Sequence, residues 1–166
     1  MRQAGVLVLA LALLSACAHR PTDVAPSVAH ESGYSGRLSV RIEGPSPQAW
    51  SAFFDFKGTA QSGQLTLSGP LGGTVGIVSW SAGSATLKLG EQTLLFGSVE
   101  ALTEHYTGAA LPLPAIIDWL AGRQAVVPGW QVDPTEQSLE ADTPARLTAR
   151  RHSPLPTVQL TLTLLP

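Results

Sequence analysis

The chain has 166 residues, of which 44% are hydrophobic and 13% charged, with a formal net charge of −2. That length suits one domain with a real core and is short for two. A net negative charge, with the arginines scattered, argues against a nucleic-acid binder, which needs a basic patch to neutralise phosphates.

Arg2 precedes an apolar run from Val6 to Leu14, and Leu14-Ser15-Ala16-Cys17 closes it. A basic start, a short apolar core and small residues before a cut make a secretory signal peptide. The run is far shorter than the roughly 20 apolar residues that span a bilayer. The tetrad looks like a bacterial lipobox, which implies that Cys17 is lipidated and becomes the first mature residue. The sequence thus divides into a signal peptide over 1–16, a tether over 17–33 and a domain over 34–166. Cys17 is the only cysteine, so no internal disulfide is expected although the compartment is oxidising. Ala18 follows it. In lipoproteins an aspartate at that place is the usual signal for retention on the inner membrane, so the resemblance points to the outer membrane. The polar stretch His19–Ser32, with Pro21 and Pro26, reads as a flexible tether.

Alternation then dominates. Leu38, Val40 and Ile42 share one face of a strand that Gly44-Pro45-Ser46-Pro47 breaks. Trp50, Ala52, Phe54 and Phe56 share a face of the next, while Phe53 interrupts the pattern on the other side. Leu65 and Leu67 continue it, followed by Val75–Trp80, a turn at Ser81–Ser84, Leu87 and Leu89, a hairpin turn at Gly90–Gln92, and Thr93–Phe96. Short strands at this spacing predict an antiparallel meander.

The period then changes. Ser98 is the expected N-cap of a helix with Glu100 in its first turn, and Val99, Leu102 and Tyr106 lie on one face until Gly108. Pro114 is expected to open a second helix carrying Leu113, Ile116, Ile117 and Leu120, which Gly122 stops. Trp119 reads either as a lid residue or as a helix anchor. Strands resume at Trp130–Val132, Ser138–Ala141, Arg146–Arg151 and Thr157–Leu165. The arginine cluster Arg146, Arg150 and Arg151 reads as a solvated strand face. The layout is mainly β with two short helices. A sheet of this size must bury its apolar face. Two short helices leave open whether the interior is a packed core or a partly hollow apolar cavity.

No catalytic pattern is visible. There is no nucleophile elbow, P-loop or dinucleotide-binding glycine motif. No His/Cys/Asp cluster has metal-ligand spacing. His105 and His152 stand alone, and Asp55 and Asp118 read as single solvent-facing carboxylates. The expectation is a protein that is not an enzyme and has no cofactor or metal.

One segment exceeds the generic. Gln64–Ser68 runs into Gly69-Pro70-Leu71-Gly72-Gly73-Thr74, where proline fixes a bend and the glycines permit unusual torsions. Leu71 either projects from this turn or folds back onto the core. With the lipobox, Gly36-Arg37-Leu38, and Leu111-Pro112-Leu113-Pro114 leading into Asp118-Trp119-Leu120-Ala121-Gly122, the chain resembles the LolB family of outer-membrane lipoprotein receptors. The resemblance runs from about Tyr34 to Arg123 and more loosely through the closing strands. It implies an open antiparallel β-barrel, or half-barrel, with helices covering an apolar cavity. It implies a monomer, lipid-anchored on the periplasmic face of the outer membrane, that accepts acylated client lipoproteins from the periplasmic carrier LolA. It further implies insertion of those clients into the inner leaflet, with Gly69, Pro70, Leu71 and Gly72 forming the membrane-insertion loop. Strand and helix phase place Trp50, Phe54, Phe56, Leu65, Leu67, Ile116, Ile117 and Leu120 on the walls of the acyl-binding cavity.

Overall fold

A computed structural model of the chain describes residues 32–136 and 145–165. The signal peptide expected over 1–16, Cys17, most of the tether and the strand expected at Ser138–Ala141 lie outside the described residues. Six strands come first: β1 (Ser32–Glu43), β2 (Gln48–Gly58), β3 (Gly63–Ser68), β4 (Thr74–Ser81), β5 (Ser84–Leu89) and β6 (Gln92–Phe96). Two helices follow, α1 (Val99–Thr107) and α2 (Leu113–Leu120), then β7 (Trp130–Glu136), β8 (Arg146–Arg151) and β9 (Thr157–Leu164). They form one antiparallel sheet in the order β6-β5-β4-β3-β2-β1-β9-β8-β7. Since β6 and β7 are its two edges and do not pair with each other, the sheet is an open half-barrel.

Alternation sets the inner face. Leu38, Val40 and Ile42 of β1, Phe54 and Phe56 of β2, and Val158, Leu160 and Leu162 of β9 are all buried. Register keeps these residues together, with Leu38 opposite both Ala52 and Leu162, and Val40 opposite Trp50 and Leu160. Phe53 faces outward and is exposed, as its odd position in the alternation requires. One end of the interior is closed by stacked rings, Tyr34 on Phe56 at 6.2 Å and Phe56 on Trp80 at 5.7 Å between centroids. The Trp80 indole N–H donates to the Ala60 carbonyl at 3.1 Å, so its one polar atom is satisfied. Gly63 lies under these rings; a Cβ there would meet Phe56 at 2.7 Å and Trp80 at 2.9 Å.

The helices cover the concave side. The Ser98 side chain caps α1, accepting from the Ala101 N–H at 3.1 Å, and Gly108 ends it with φ 73°. Packing of α1 is on β5 and β6. The Thr103 hydroxyl donates to the Glu100 carbonyl at 3.0 Å and accepts from the Leu111 N–H at 2.9 Å, tying the inter-helix segment to α1. In α2, Ile116 and Ile117 are buried, and Trp119 is an anchor, its indole N–H donating to the Ala125 carbonyl at 2.8 Å. Asp118 does not stand alone, since Arg123 meets its carboxylate at 2.7 Å.

One expectation for β8 is overturned. Arg146 and Arg150 face outward, but Arg151 shares the inward face with Leu147 and Ala149 and is only 6% exposed. Its guanidinium donates to the Ala110 carbonyl and to the Pro156 carbonyl, each at 3.2 Å, and lies 5.8 Å from the centre of the Trp130 ring. Strand period decides the matter: residue 151 falls two positions after Ala149 and therefore points inward whatever its charge.

Candidate functional site

The helices do not fill the half-barrel evenly, and the gap between them and the sheet is the site. Under α2, Phe54, Phe56, Leu65, Ile116, Ile117 and Leu120 close on a void of only about 20 Å³. Beside it, where α1 stands over β3 to β5, a cavity of about 440 Å³ remains. That volume falls within the roughly 300–1,000 Å³ of small-molecule pockets. Trp50, Leu65, Leu67, Val78, Leu87 and Leu89 line it from the sheet, and Leu102, Tyr106, Leu111 and Leu113 from the helical side.

The wall residues expected from sequence therefore fall into two groups. Trp50, Leu65 and Leu67 do border the large cavity. Phe54, Phe56, Ile116, Ile117 and Leu120 lie instead in the packed region beneath α2, with Leu65 touching both. The physical reason is the run Leu113–Leu120, which buries five of its residues and so seats directly on the sheet. Sequence reasoning missed Val78, Leu87, Leu89 and Leu102 as wall residues. Their signal was present, because they continue the same alternating and helical phases, but phase does not report where two helices leave a gap.

The lining is apolar except for Gln48, Ser51, Thr103, Thr107 and the Tyr106 hydroxyl, and carries no charged side chain. The two threonine hydroxyls are committed to backbone carbonyls, Thr103 to Glu100 and Thr107 to Thr103 at 2.7 Å. Among the described residues no group of His, Cys, Asp or Glu is arranged to hold a metal ion. His105 is exposed on α1, its ring 5.0 Å from that of Tyr106 and 5.7 Å from that of Phe96.

At the mouth stands the β3–β4 turn. The Gly69 N–H donates to the Gly73 carbonyl at 2.9 Å and the Gly72 N–H to the Gly69 carbonyl at 3.0 Å. Gly72 has φ 86°, a left-handed conformation that a side chain would strain. Gly69 and Pro70 border the cavity, and Leu71 projects beyond them with 102% relative exposure. The alternative in which this leucine folds onto the core is thus settled against. Val75, 59% exposed, extends the apolar rim.

Arg151 fixes the far side. Its two carbonyl bonds join the inter-helix segment to the β8–β9 turn, while its Nε has no partner among the described residues. Burial pushes the guanidinium below its ordinary range, and the charge of Glu104 acts in the opposite sense.

Fold and site together define an open β half-barrel whose apolar hollow suits a hydrocarbon ligand and whose mouth carries a projecting leucine. The family described as "Outer membrane lipoprotein LolB" matches residues 32–159. The chain is 35% identical over 119 residues to the outer-membrane lipoprotein LolB of Bordetella petrii, covering 69% of this chain and 59% of that protein. Identity to the protein of the same name from Chromobacterium violaceum is 34% over 126 residues, covering 72% and 68%. For the one from Ralstonia nicotianae it is 34% over 132 residues, covering 74% and 63%. The chain belongs to the LolB family. Its match spans about three-fifths of the length of the Bordetella relative.

Proposed function

We propose that this protein is a lipoprotein receptor anchored to the outer membrane through Cys17, and that it takes acylated lipoproteins from the carrier LolA and inserts them into the inner leaflet. The observation that carries this reading is the adjacency of two features. One is an uncharged, apolar cavity of about 440 Å³; the other is a fully exposed Leu71 on the turn that borders it. A sixteen-carbon acyl chain left in water costs on the order of 10 kcal/mol, at roughly 0.8 kcal/mol per methylene. The cavity removes most of that cost during passage. Transfer without a nucleotide must run downhill, from carrier to receptor to bilayer, so moderate affinity serves better than tight binding. Leu71 gives the mouth an apolar contact with the membrane, where the chain can leave.

The family and the cavity chemistry support a carrier rather than a catalyst. The competing reading is a lipid-binding envelope lipoprotein of the same shape that never exchanges with LolA. The test is a transfer assay. All residues of the core cluster lie between Tyr34 and Leu164, so a soluble chain of residues 18–166 retains every one of them. LolA loaded with an acylated client is mixed with this chain, and the client is followed by pull-down. The receptor reading expects the client to move onto the wild type, and Leu71→Glu to accept it but fail to deliver it to liposomes. Retention of the client on LolA, with a folded receptor sample, would refute it in favour of the competing reading.

A further inference from the structure

A second hollow adjoins the first. It has a volume of about 490 Å³ and lies where the β1–β2 hairpin, the C-terminal end of α1 and the β8–β9 turn meet. Ile42, Pro45, Leu155 and Pro156 give it apolar walls, while Glu43 and Ser46 line its exposed hairpin side. The hairpin lies against the β8–β9 turn, where a Cβ on Gly44 would come within 3.4 Å of the Pro156 side chain. Gln48 and Thr107 line both hollows, so the two compartments meet at these residues.

We infer that the two compartments form one bipartite site for a lipid bearing two hydrocarbon chains, one chain in each, with the polar backbone that joins them at the Gln48–Thr107 waist. This rests on the reading above that the first cavity takes an acyl chain. Three observations support it. Each compartment's volume lies within the roughly 300–1,000 Å³ of ligand sites. The waist is polar while the walls on both sides are mainly apolar, with Glu43 and Ser46 confined to the hairpin side of the second, which is unfavourable for one long chain threading through. It matches a ligand whose ester or amide groups lie between two apolar arms. The Gln48 amide supplies N–H donors there, while the Thr107 hydroxyl hydrogen is already given to the Thr103 carbonyl. Each compartment also has a projecting leucine on a proline-bearing turn at its rim, Leu71 for the first and Leu155, 80% exposed, for the second.

The test compares pyrene-labelled lysophosphatidylcholine, with one chain, against pyrene-labelled phosphatidylcholine, with two, on the chain of residues 18–166. The headgroup is common to both, so its contribution cancels. The wild type is expected to bind the two-chain probe at least tenfold more tightly, a difference of about 1.4 kcal/mol. Ser46→Trp, which fills the second compartment from an exposed hairpin position, is expected to erase that preference while leaving one-chain affinity within about twofold. Leu155→Glu, on the solvent-exposed turn, is a second variant that needs no repacking and is expected to act in the same direction. Wild-type preference unchanged in both variants, or equal losses for both probes, would overturn the bipartite site and leave the carrier reading standing. Binding of neither probe to the wild type would overturn the carrier reading itself and the bipartite site with it.

Discussion

Arg151 offers the sharpest test of how the covering helices are held. Its guanidinium is buried against Trp130 and bridges the Ala110 and Pro156 carbonyls, both at 3.2 Å. Replacement by methionine keeps most of the side-chain volume and removes both bonds. A hydrogen bond from a charged donor contributes roughly 1.5–3 kcal/mol, so the pair contributes about 3–6 kcal/mol. Part of that is offset, because burying the guanidinium is itself unfavourable, as its lowered pKa records. We expect Arg151→Met to lose about 3 kcal/mol in urea unfolding, with a fall in Tm on the order of 10 °C. Arg151→Lys retains the charge but offers a point donor in place of a fork, and is expected to recover less than half of the loss. The same variants, measured below their melting transitions, should bind a hydrocarbon probe more weakly, because the segment between α1 and α2 is no longer tied to the sheet. Stability of Arg151→Met within about 0.5 kcal/mol of wild type, the range of ordinary surface substitutions, would refute the bridging role.

Leu71→Ala should leave stability within about 0.5 kcal/mol, since the side chain is fully exposed. Loss of its apolar groups should nevertheless weaken vesicle partitioning of the soluble chain by about 2 kcal/mol, some thirtyfold, read by co-sedimentation. Trp80→Phe removes the bond to the Ala60 carbonyl and leaves that buried acceptor unpaired, so a loss of about 1–3 kcal/mol is expected in denaturant unfolding. Gly129→Ala combines φ 80° with a Cβ that would collide with the Ser153 carbonyl oxygen; soluble expression and Tm should both fall sharply. Ser98→Ala removes the N-cap of α1, for an expected loss of about 1 kcal/mol by the same unfolding assay.

The strands were legible because a half-buried sheet writes its geometry into the chain at period two. Leu38, Val40 and Ile42, or Val158, Leu160 and Leu162, announce their face without reference to any partner. Both helices were legible for a similar reason, since Ser98, Gly108 and Pro114 mark their ends chemically. The cavity walls were only half legible. Phase told that Phe56 and Leu87 both point inward, but their different fates depend on α2 seating over one and α1 standing off from the other. That is a matter of helix placement, which periodicity does not encode. Arg151 misled for a related reason: its charge argued for solvent, while its position in β8 argued for the interior. Backbone geometry won because two carbonyls and an aromatic face were there to receive it. Leu71 remained undecided in sequence because nothing local forces a leucine out of a turn; in the structure the Gly69–Gly73 hydrogen bonds hold the turn and Leu71 at its tip is fully exposed.

The strand order places β1 between β2 and β9, the earliest strand against the latest. Every other neighbour in the sheet follows directly in sequence, so each of those pairings can form as a hairpin when its second strand is made. The β1–β9 pairing cannot. Until Thr157–Leu164 arrives, β1 has one bare edge, and the arm containing β7 and β8 has nothing to join it to the rest. Two half-sheets must wait for a single seam, and the residues on that seam, Val40 with Leu160 and Ile42 with Val158, are among the most deeply buried of the core. Closing so distant a contact is slow compared with hairpin formation. Joining of the two arms is thereby deferred until β9 is present. The strand order also makes β9 the one strand whose removal would leave β7 and β8 with no pairing to the rest of the described sheet.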